Sequence, residues 1–511
     1  MTKRILAALL CLFFLAGCSG GETAYTPTGN GLTYDDGIVP SPTEEEKEEK
    51  ELELVYYPDI TLNPYTCTDF TNRALFSLLY QGLFTTDRNY NVFPVLCKSY
   101  RVSDDLRSYT IYLEAASFSD GTPVTPTDVV ESYRAARENP VYKGRFTHIK
   151  TVEALADGGI LFTLDTDYEN LPILLDIPIV KASQVAEDRP IGSGPYMLNS
   201  STSGTRLLKN SNWWCDAKLP VSATAIPLTE AESTTQIRDA FEFSGVGLVC
   251  ANPGSDRFAD FRCDYELWES ENGMFLYMGL NAEAGLFQDT QLRKAVTWAI
   301  DRDNLAEYHY RGFARGASLP ASPSSPWYST QLAGKYDYDP EAFANAVAEA
   351  GATGKTVRLL VNGGDSLRCR VARSIGEMLK AGGLQVEIIE KTGQDYMYLL
   401  NVREYDIYLG QTKLSPNMDL STFFSRTGSL SYGSMSDTGA YNMCLEALAN
   451  SGNYYNLHQT VMESGKLCPI LFQSYSIYAT RGLLSDLAPA RDQIFFYTTG
   501  NTLADALIAS E

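Results

Sequence analysis

Residues 108–133 read SYTIYLEAASFSDGTPVTPTDVVESY, one continuous run holding a strand, a tight turn and a capped helix. SYTIYLEAA alternates with a period of two, as a half-buried strand does. Ser119-Asp120-Gly121 is a turn signal. Thr125 then stands at a helix N-cap, Pro126 at the first helical position, and Asp128 completes a capping box. Before this stretch, ELELVYY opens ordered structure near Leu52 as a strand. A helical pattern follows from Asp69 (TNRALFSLLYQGL) to Gly82. After it come a second strand pair around Ile160–Leu164 and a turn into a strand at Pro190–Leu198, with Gly192 and Gly194.

From Met274 the pattern alternates strands with helices. FLYMGLN is a strand, Asp289 begins the helix TQLRKAVTWAI, and Asp301 caps a helix that stops at Gly312. Asp339-Pro340 starts EAFANAVAEAG, a capped helix with a Gly stop. VRLLVNG, VARSIGEMLKAGG and LQVEIIE read strand–helix–strand, a βαβ unit whose strands pair in parallel. YDIYLGQ is a further strand. Helices near Tyr441–Leu448 and Tyr455–Ser464 lead into the strand-like PILFQSYSIYA.

The N-terminus is of another kind. Lys3 and Arg4 precede the apolar run Ile5–Ala16, which is shorter than the roughly 20 residues a spanning helix needs. It suits the core of an export signal. Leu15-Ala16-Gly17-Cys18 follows and resembles the lipobox of bacterial lipoproteins, in which the signal is removed and the Cys, here Cys18, becomes a diacylated N-terminus. Residues 19–43 are rich in Gly, Ser, Thr and Pro, and 44–53 read EEEKEEKELE. Such a stretch has too little apolar area to order itself and is read as a flexible stalk. The signal removed, the net charge moves from −22 to −24. That sign argues against nucleic acid and anionic lipid surfaces. Of ten Cys, Cys11 lies in the signal and Cys18 at the lipobox. The other eight form no C-x-x-C pair, so disulfides and buried thiols both stay open.

Catalytic patterns are missing. Gly192-Ser193-Gly194 is a turn, not a nucleophile elbow. Residues 349–356, EAGATGKT, place Glu349 where a phosphate loop requires Gly, and the Gly-Lys-Thr precedes a strand. His148, His309 and His458 are isolated, so no metal and no cofactor is assigned. The expectation is a binding protein and not an enzyme.

Taken together, LNPY at 62–65, the 108–133 stretch, IGSGPYML at 191–198, LRKAVTWAIDRDNLAEYHYRGFA at 292–314, YDYDPEAFANAVAEAG at 336–351 and YDIYLG at 405–410 resemble the peptide-type solute-binding proteins of ABC importers. This is the extracellular family 5, with oligopeptide, dipeptide and nickel binders. The resemblance implies an α/β fold, a two-lobed periplasmic-binding-protein-like clamshell of type II, cluster C, with an extra inserted subdomain in lobe I. The expected organisation is signal peptide 1–17, stalk 18–51, lobe I 52–280 with its insertion at about 83–170, lobe II 281–470, and a return to lobe I over 471–511. Two crossing strands, Met274–Asn281 and Pro469–Tyr478, would form the hinge. Ligand binds between the lobes and closure buries it.

The resemblance also implies site residues. Peptides add to strand edges, and Leu54–Asp59 would offer one. Tyr57 and Tyr277 would supply amphipathic walls; Asn281, Gln411, Lys413, Asp419, Gln473 and Tyr475 complete the expected ligand contacts. One departure stands out. Peptide binders of the family carry an Asp shortly after a Gly-Trp pair, which meets the ligand's α-ammonium. Here Gln411 holds the Trp position and Leu414 the Asp position, beside Lys413. Either Asp419 takes over, or the ligand presents no free α-amine and Lys413, if it faces the cleft, favours an anionic group. The expected partners are an oligopeptide or other small solute, ABC permease subunits, and the membrane through the lipid on Cys18, with no nucleic acid; a monomer is expected outside the cytoplasm. The alternatives are a ligand-sensing lipoprotein of the same fold or an exported enzyme.

Overall fold

The helix read from Thr125 forms over Pro126–Ala136. The Asp128 carboxylate accepts from the Thr125 N–H at 2.8 Å and from the Thr125 hydroxyl at 2.6 Å. Its other oxygen accepts from the Ala182 N–H at 2.7 Å, so the box also pins a distant loop. The structure is a computed structural model that describes residues 51–251, 261–484 and 487–508. The signal peptide, Cys18 and the stalk to residue 50 lie outside the described residues.

The strand before that helix, Ser108–Leu113, turns Tyr109 and Ile111 inward. It joins an antiparallel sheet in the order Cys97–Val102, Ser108–Leu113, Ile160–Leu164, Ile149–Ala154. A second four-stranded sheet runs Leu54–Tyr56, Ala225–Glu230, Gly204–Lys209, Tyr196–Ser201; its first pair is parallel and the rest antiparallel. Leu54–Tyr56 is therefore an edge strand, paired within this sheet on one side.

The largest sheet is mixed, in the order Leu248–Ala251, Leu467–Thr480, Tyr265–Leu280, Ile407–Lys413, Thr356–Asn362, Gln385–Lys391, with Ala314–Gly316 also on Leu467–Thr480. The βαβ reading holds: Thr356–Asn362 and Gln385–Lys391 pair in parallel on either side of the helix Ser366–Ala381. The proposed crossing segments lie inside the two longest strands. Tyr265–Leu280 and Leu467–Thr480 pair antiparallel from Tyr265↔Thr480 to Gly279↔Leu467, interrupted by register shifts between Glu271 and Phe275 and between Leu276 and Tyr277. The first shift contains Gly273, whose φ of +70° is a left-handed conformation that glycine adopts without strain.

Two expected helices break. The Asp69 pattern gives Phe70–Arg73 and Phe76–Leu79. Asn72 and Arg73 turn inward to carbonyls of Tyr57, Ile60 and Cys67, which takes them off the helical face the pattern assumed. The Asp289 helix covers Thr290–Ala295 and tightens to a 3-10 turn over Val296–Ala299.

An apolar cluster of Leu276, Met278, Ile407, Leu409, Leu359 and Ile375 fills one side of the large sheet. A larger one runs from Leu54 and Phe84 through Phe162 and Leu171 to Phe423, Tyr454 and Val461. Cys67, Cys97, Cys250, Cys369, Cys444 and Cys468 are buried thiols, while Cys215 and Cys263 are half-buried.

Candidate functional site

The end of the strand Ile407–Lys413 is where the expected residues converge. Its antiparallel register on Tyr265–Leu280 sets Leu276 opposite Gln411 and Met274 opposite Lys413. Gln411 accepts a 2.9 Å hydrogen bond from the Gln473 amide, which reaches across Tyr265–Leu280 from the strand Leu467–Thr480 on its far side. Two residues on, Tyr475 stacks on Phe70 at 3.4 Å between ring centroids. Lys413 does not stand free in a cleft. Its ammonium donates to both Asp492 carboxylate oxygens, at 2.6 and 2.7 Å, and to the Asn272 carbonyl at 2.8 Å.

Arg73 and Arg491 surround this pair. Burial pushes the Lys413 pKa down; Asp492 opposes that, but Arg491 and Arg73 push the same way as burial, and it settles at about 8. Burial would raise the Asp492 carboxyl, yet Lys413, Arg491 and Arg73 outweigh it and hold it below the ordinary range. Leu414 is buried, its N–H bonded to the Gly273 carbonyl at 3.0 Å, so that position offers a ligand no carboxylate.

Asp419 lies apart from the Lys413 pair. Its carboxylate accepts from the Ser421 N–H at 2.8 Å and hydroxyl at 2.7 Å, and sits 3.4 Å from His148 Nε2. His148 Nδ1 is 3.0 Å from Asp165. Burial alone would lower the His148 pKa; the bonds and charges of Asp419 and then Asp165 reverse this and raise it to about 9. A cleft of about 530 Å³ opens here, with Lys143, His148, Asp165, Lys413, Asp419 and Tyr441 among its lining.

The remaining expected residues are elsewhere. Tyr277 is buried against Tyr408 and Phe423, its ring over Gly410, where any Cβ would collide with it. Asn281 donates to the Tyr405 carbonyl at 3.1 Å and accepts from the Glu283 N–H, a turn-holding role. Tyr57 exchanges backbone hydrogen bonds with the Asn72 side chain and packs beside the Val55–Phe241 cluster. Sequence reasoning missed Arg73, Asp492, Arg491 and His148. Asp492 and Lys413 are 79 positions apart with no shared motif, so only the fold brings them together. The three His occupy separate settings: His148 between acids, His309 at 2.8 Å from the Ser374 hydroxyl, and His458 buried with its pKa pushed down to about 3 by burial.

A family model described as bacterial extracellular solute-binding proteins, family 5 Middle, matches residues 91–433. The chain is similar to the Glutathione-binding protein GsiB of Escherichia coli (strain K12), 26% identical over 308 residues, covering 57% of this chain and 59% of that protein. It is similar to the Oligopeptide-binding protein AppA of Bacillus subtilis (strain 168), 25% identical over 362 residues, covering 64% and 66%. The matches thus span less than two thirds of these relatives. Among solved structures, the ABC transporter substrate binding protein CtaP of Listeria monocytogenes superposes with a TM-score of 0.68 at 18% identity, over 87% of this chain and 97% of that one. The Bacillus subtilis AppA structure in complex with a nonapeptide gives 0.57 at 20%, over 84% and 94%.

Proposed function

This chain belongs to the bacterial extracellular solute-binding proteins of family 5, and on that premise we propose that it captures a peptide or similarly small solute between two lobes and delivers it to an ABC permease. The fold is the two-lobed clamshell of the periplasmic binding proteins. In this reading residues 52–280 and 471–511 form lobe I, with an insertion at about 83–170, and 281–470 form lobe II. Tyr265–Leu280 and Leu467–Thr480 carry the chain across. The observation behind the reading is the convergence at the cleft. Residues of the 137–165 region, the end of Ile407–Lys413 and the 414–441 region meet around one polar site of about 530 Å³. A site built from segments so far apart in sequence changes shape when the lobes rotate, which is how clamshell binders bury a ligand.

Anchoring by a lipid on Cys18, with the acidic stretch as tether, would hold the clamshell near its permease and raise its local concentration. Native mass spectrometry of the full chain purified in mild detergent tests the capture. The expected result is a small solute released on activation, and a thermal shift on adding it back, since a ligand bound only by the folded state stabilises it by mass action. A chain that carries no solute and shifts with none of a broad peptide and small-solute panel overturns the reading.

A further inference from the structure

His148 stands between the 3-10 turn Lys143–Phe146 and the strand Ile149–Ala154. The register of that strand sets Ile149 opposite Leu164, so Asp165 comes beside His148, and its N–H donates to the His148 carbonyl at 3.2 Å. The Asp165 carboxylate lies 3.0 Å from Nδ1 and is largely in water, its side chain 57% exposed. The other ring nitrogen points toward the 415–425 segment, 3.1 Å from the Ser421 hydroxyl and 3.4 Å from Asp419, whose side chain is only 5% exposed.

Both ring nitrogens thus face acceptors. Ser421 directs its hydroxyl proton to Asp419 at 2.7 Å, which leaves its oxygen to accept from His148. An imidazolium donates from both nitrogens; a neutral ring donates from one. The neutral ring would set a lone pair against Asp165, or against Ser421 and Asp419, or turn the Ser421 hydroxyl away from Asp419. Resting on the clamshell reading and its lobe boundaries, we propose that His148 is a proton-operated latch: closing the lobes takes up a proton at this ring, so rising pH favours the open form and loosens the hold on solute. His148 and Asp165 belong to lobe I in that reading, Asp419 and Ser421 to lobe II. Opening leaves Asp165 in place and exchanges the buried partners for water. Burial alone would lower the His148 pKa; Asp419 foremost, then Asp165, raise it to about 9, and Asp419 is the partner that opening removes. Without it the value falls back toward the ordinary 6.5. Between the two values closure weakens by up to about tenfold per pH unit.

The neighbours do not imitate this. Arg137, Glu138 and Lys143 line the cleft on the His148 side, Lys413 and Tyr441 on the other. Burial, then the nearby carboxylates, pushes Tyr441 up, and burial and Asp419 push up Cys444 on the same helix, so both stay neutral. Lys413, pushed down to about 8 by burial, titrates in the same range with the opposite sign: a value that closure depresses makes rising pH favour the closed form.

Hydrogen exchange of the full chain in mild detergent tests the latch without any solute. The Glu169 N–H donates to the Leu448 carbonyl and the Ser451 N–H to the Glu169 carboxylate, both at 2.9 Å, so these amides report the contact between lobes. Those of Leu359–Val361, inside the large sheet, report unfolding. The contact amides are expected to exchange faster than the core amides. Corrected for intrinsic rate, they should lose about tenfold or more of their protection between pH 6.5 and 9.5. His148→Gln should abolish that loss. Asp419→Asn, which keeps an oxygen for Ser421 but drops the charge, should move it to lower pH. Contact amides that exchange in step with the core, protection that is constant or rises with pH, or an equal loss in His148→Gln each overturn the latch and leave solute capture standing. If His148→Gln fails to fold, Asp419→Asn decides: an unmoved loss overturns the latch.

Discussion

His148 joins the 137–165 region to the 412–441 region through Asp419 and Ser421, and its pKa makes that contact dependent on pH. The folded value, about 9, lies above the ordinary 6.5, so the stabilisation is fully present below pH 6.5 and is lost as pH rises toward 9. It is on the order of 3 kcal/mol. Thermal melts across that window should show a falling Tm, and His148→Gln should flatten it; an equally steep fall in the variant would place the titration elsewhere. Asp492→Asn is the second prediction. Asn tolerates the φ of +58° at this position, so the backbone is spared. The substitution leaves three cations unopposed and should cost about 3–5 kcal/mol in urea unfolding. Adding Lys413→Met should recover most of it. At this scale the sequence was least informative. Lys413 stands out in the sequence beside the Leu414 position, but its partner Asp492 and the His148 contact depend on chain segments that no local pattern links. Tyr277 and Asn281, expected as ligand contacts, place their side chains against Tyr408 and Phe423 and on the Tyr405 carbonyl, contacts that no local pattern announces.

Among elements, local chemistry was the better guide. The Thr125–Asp128 box, the Asp289, Asp301 and Asp339 caps and the parallel βαβ pair all form as the pattern predicts, because caps and periodicity act within a few residues. The Asp69 pattern failed because inward hydrogen bonds from Asn72 and Arg73 outweigh a marginal helix. Asp128→Ala removes acceptors for the Thr125 N–H, the Thr125 hydroxyl and the Ala182 N–H together. It should cost about 1–3 kcal/mol, more than Thr125→Ala at about 1 kcal/mol. Equal losses in urea unfolding would mean that the bond to Ala182 contributes nothing.

For the whole molecule, the regions around 144–169 and 415–451 are in close contact. The Glu169 N–H donates to the Leu448 carbonyl and its carboxylate accepts from the Ser451 N–H, both at 2.9 Å, and a Cβ at Gly144 would strike the Ser415 hydroxyl. Gly144→Val should act as a wedge, enlarging the radius of gyration in small-angle scattering and weakening ligand binding; an unchanged radius with unchanged affinity would mean the contact is not part of closure. The six buried thiols have a consequence of their own. Burial holds the Cys67, Cys97, Cys250 and Cys444 pKa values above the ordinary thiol range, and alkylating reagents attack the thiolate. A maleimide should therefore mark each cysteine only at the moments when its surroundings come apart. Cys369 and Cys468 sit in the core on one side of the large sheet, Cys97 and Cys444 in the other large cluster. One time course of labelling, read by peptide mass, would clock the breathing of the two cores separately, and matching rates throughout would mean that they open as one.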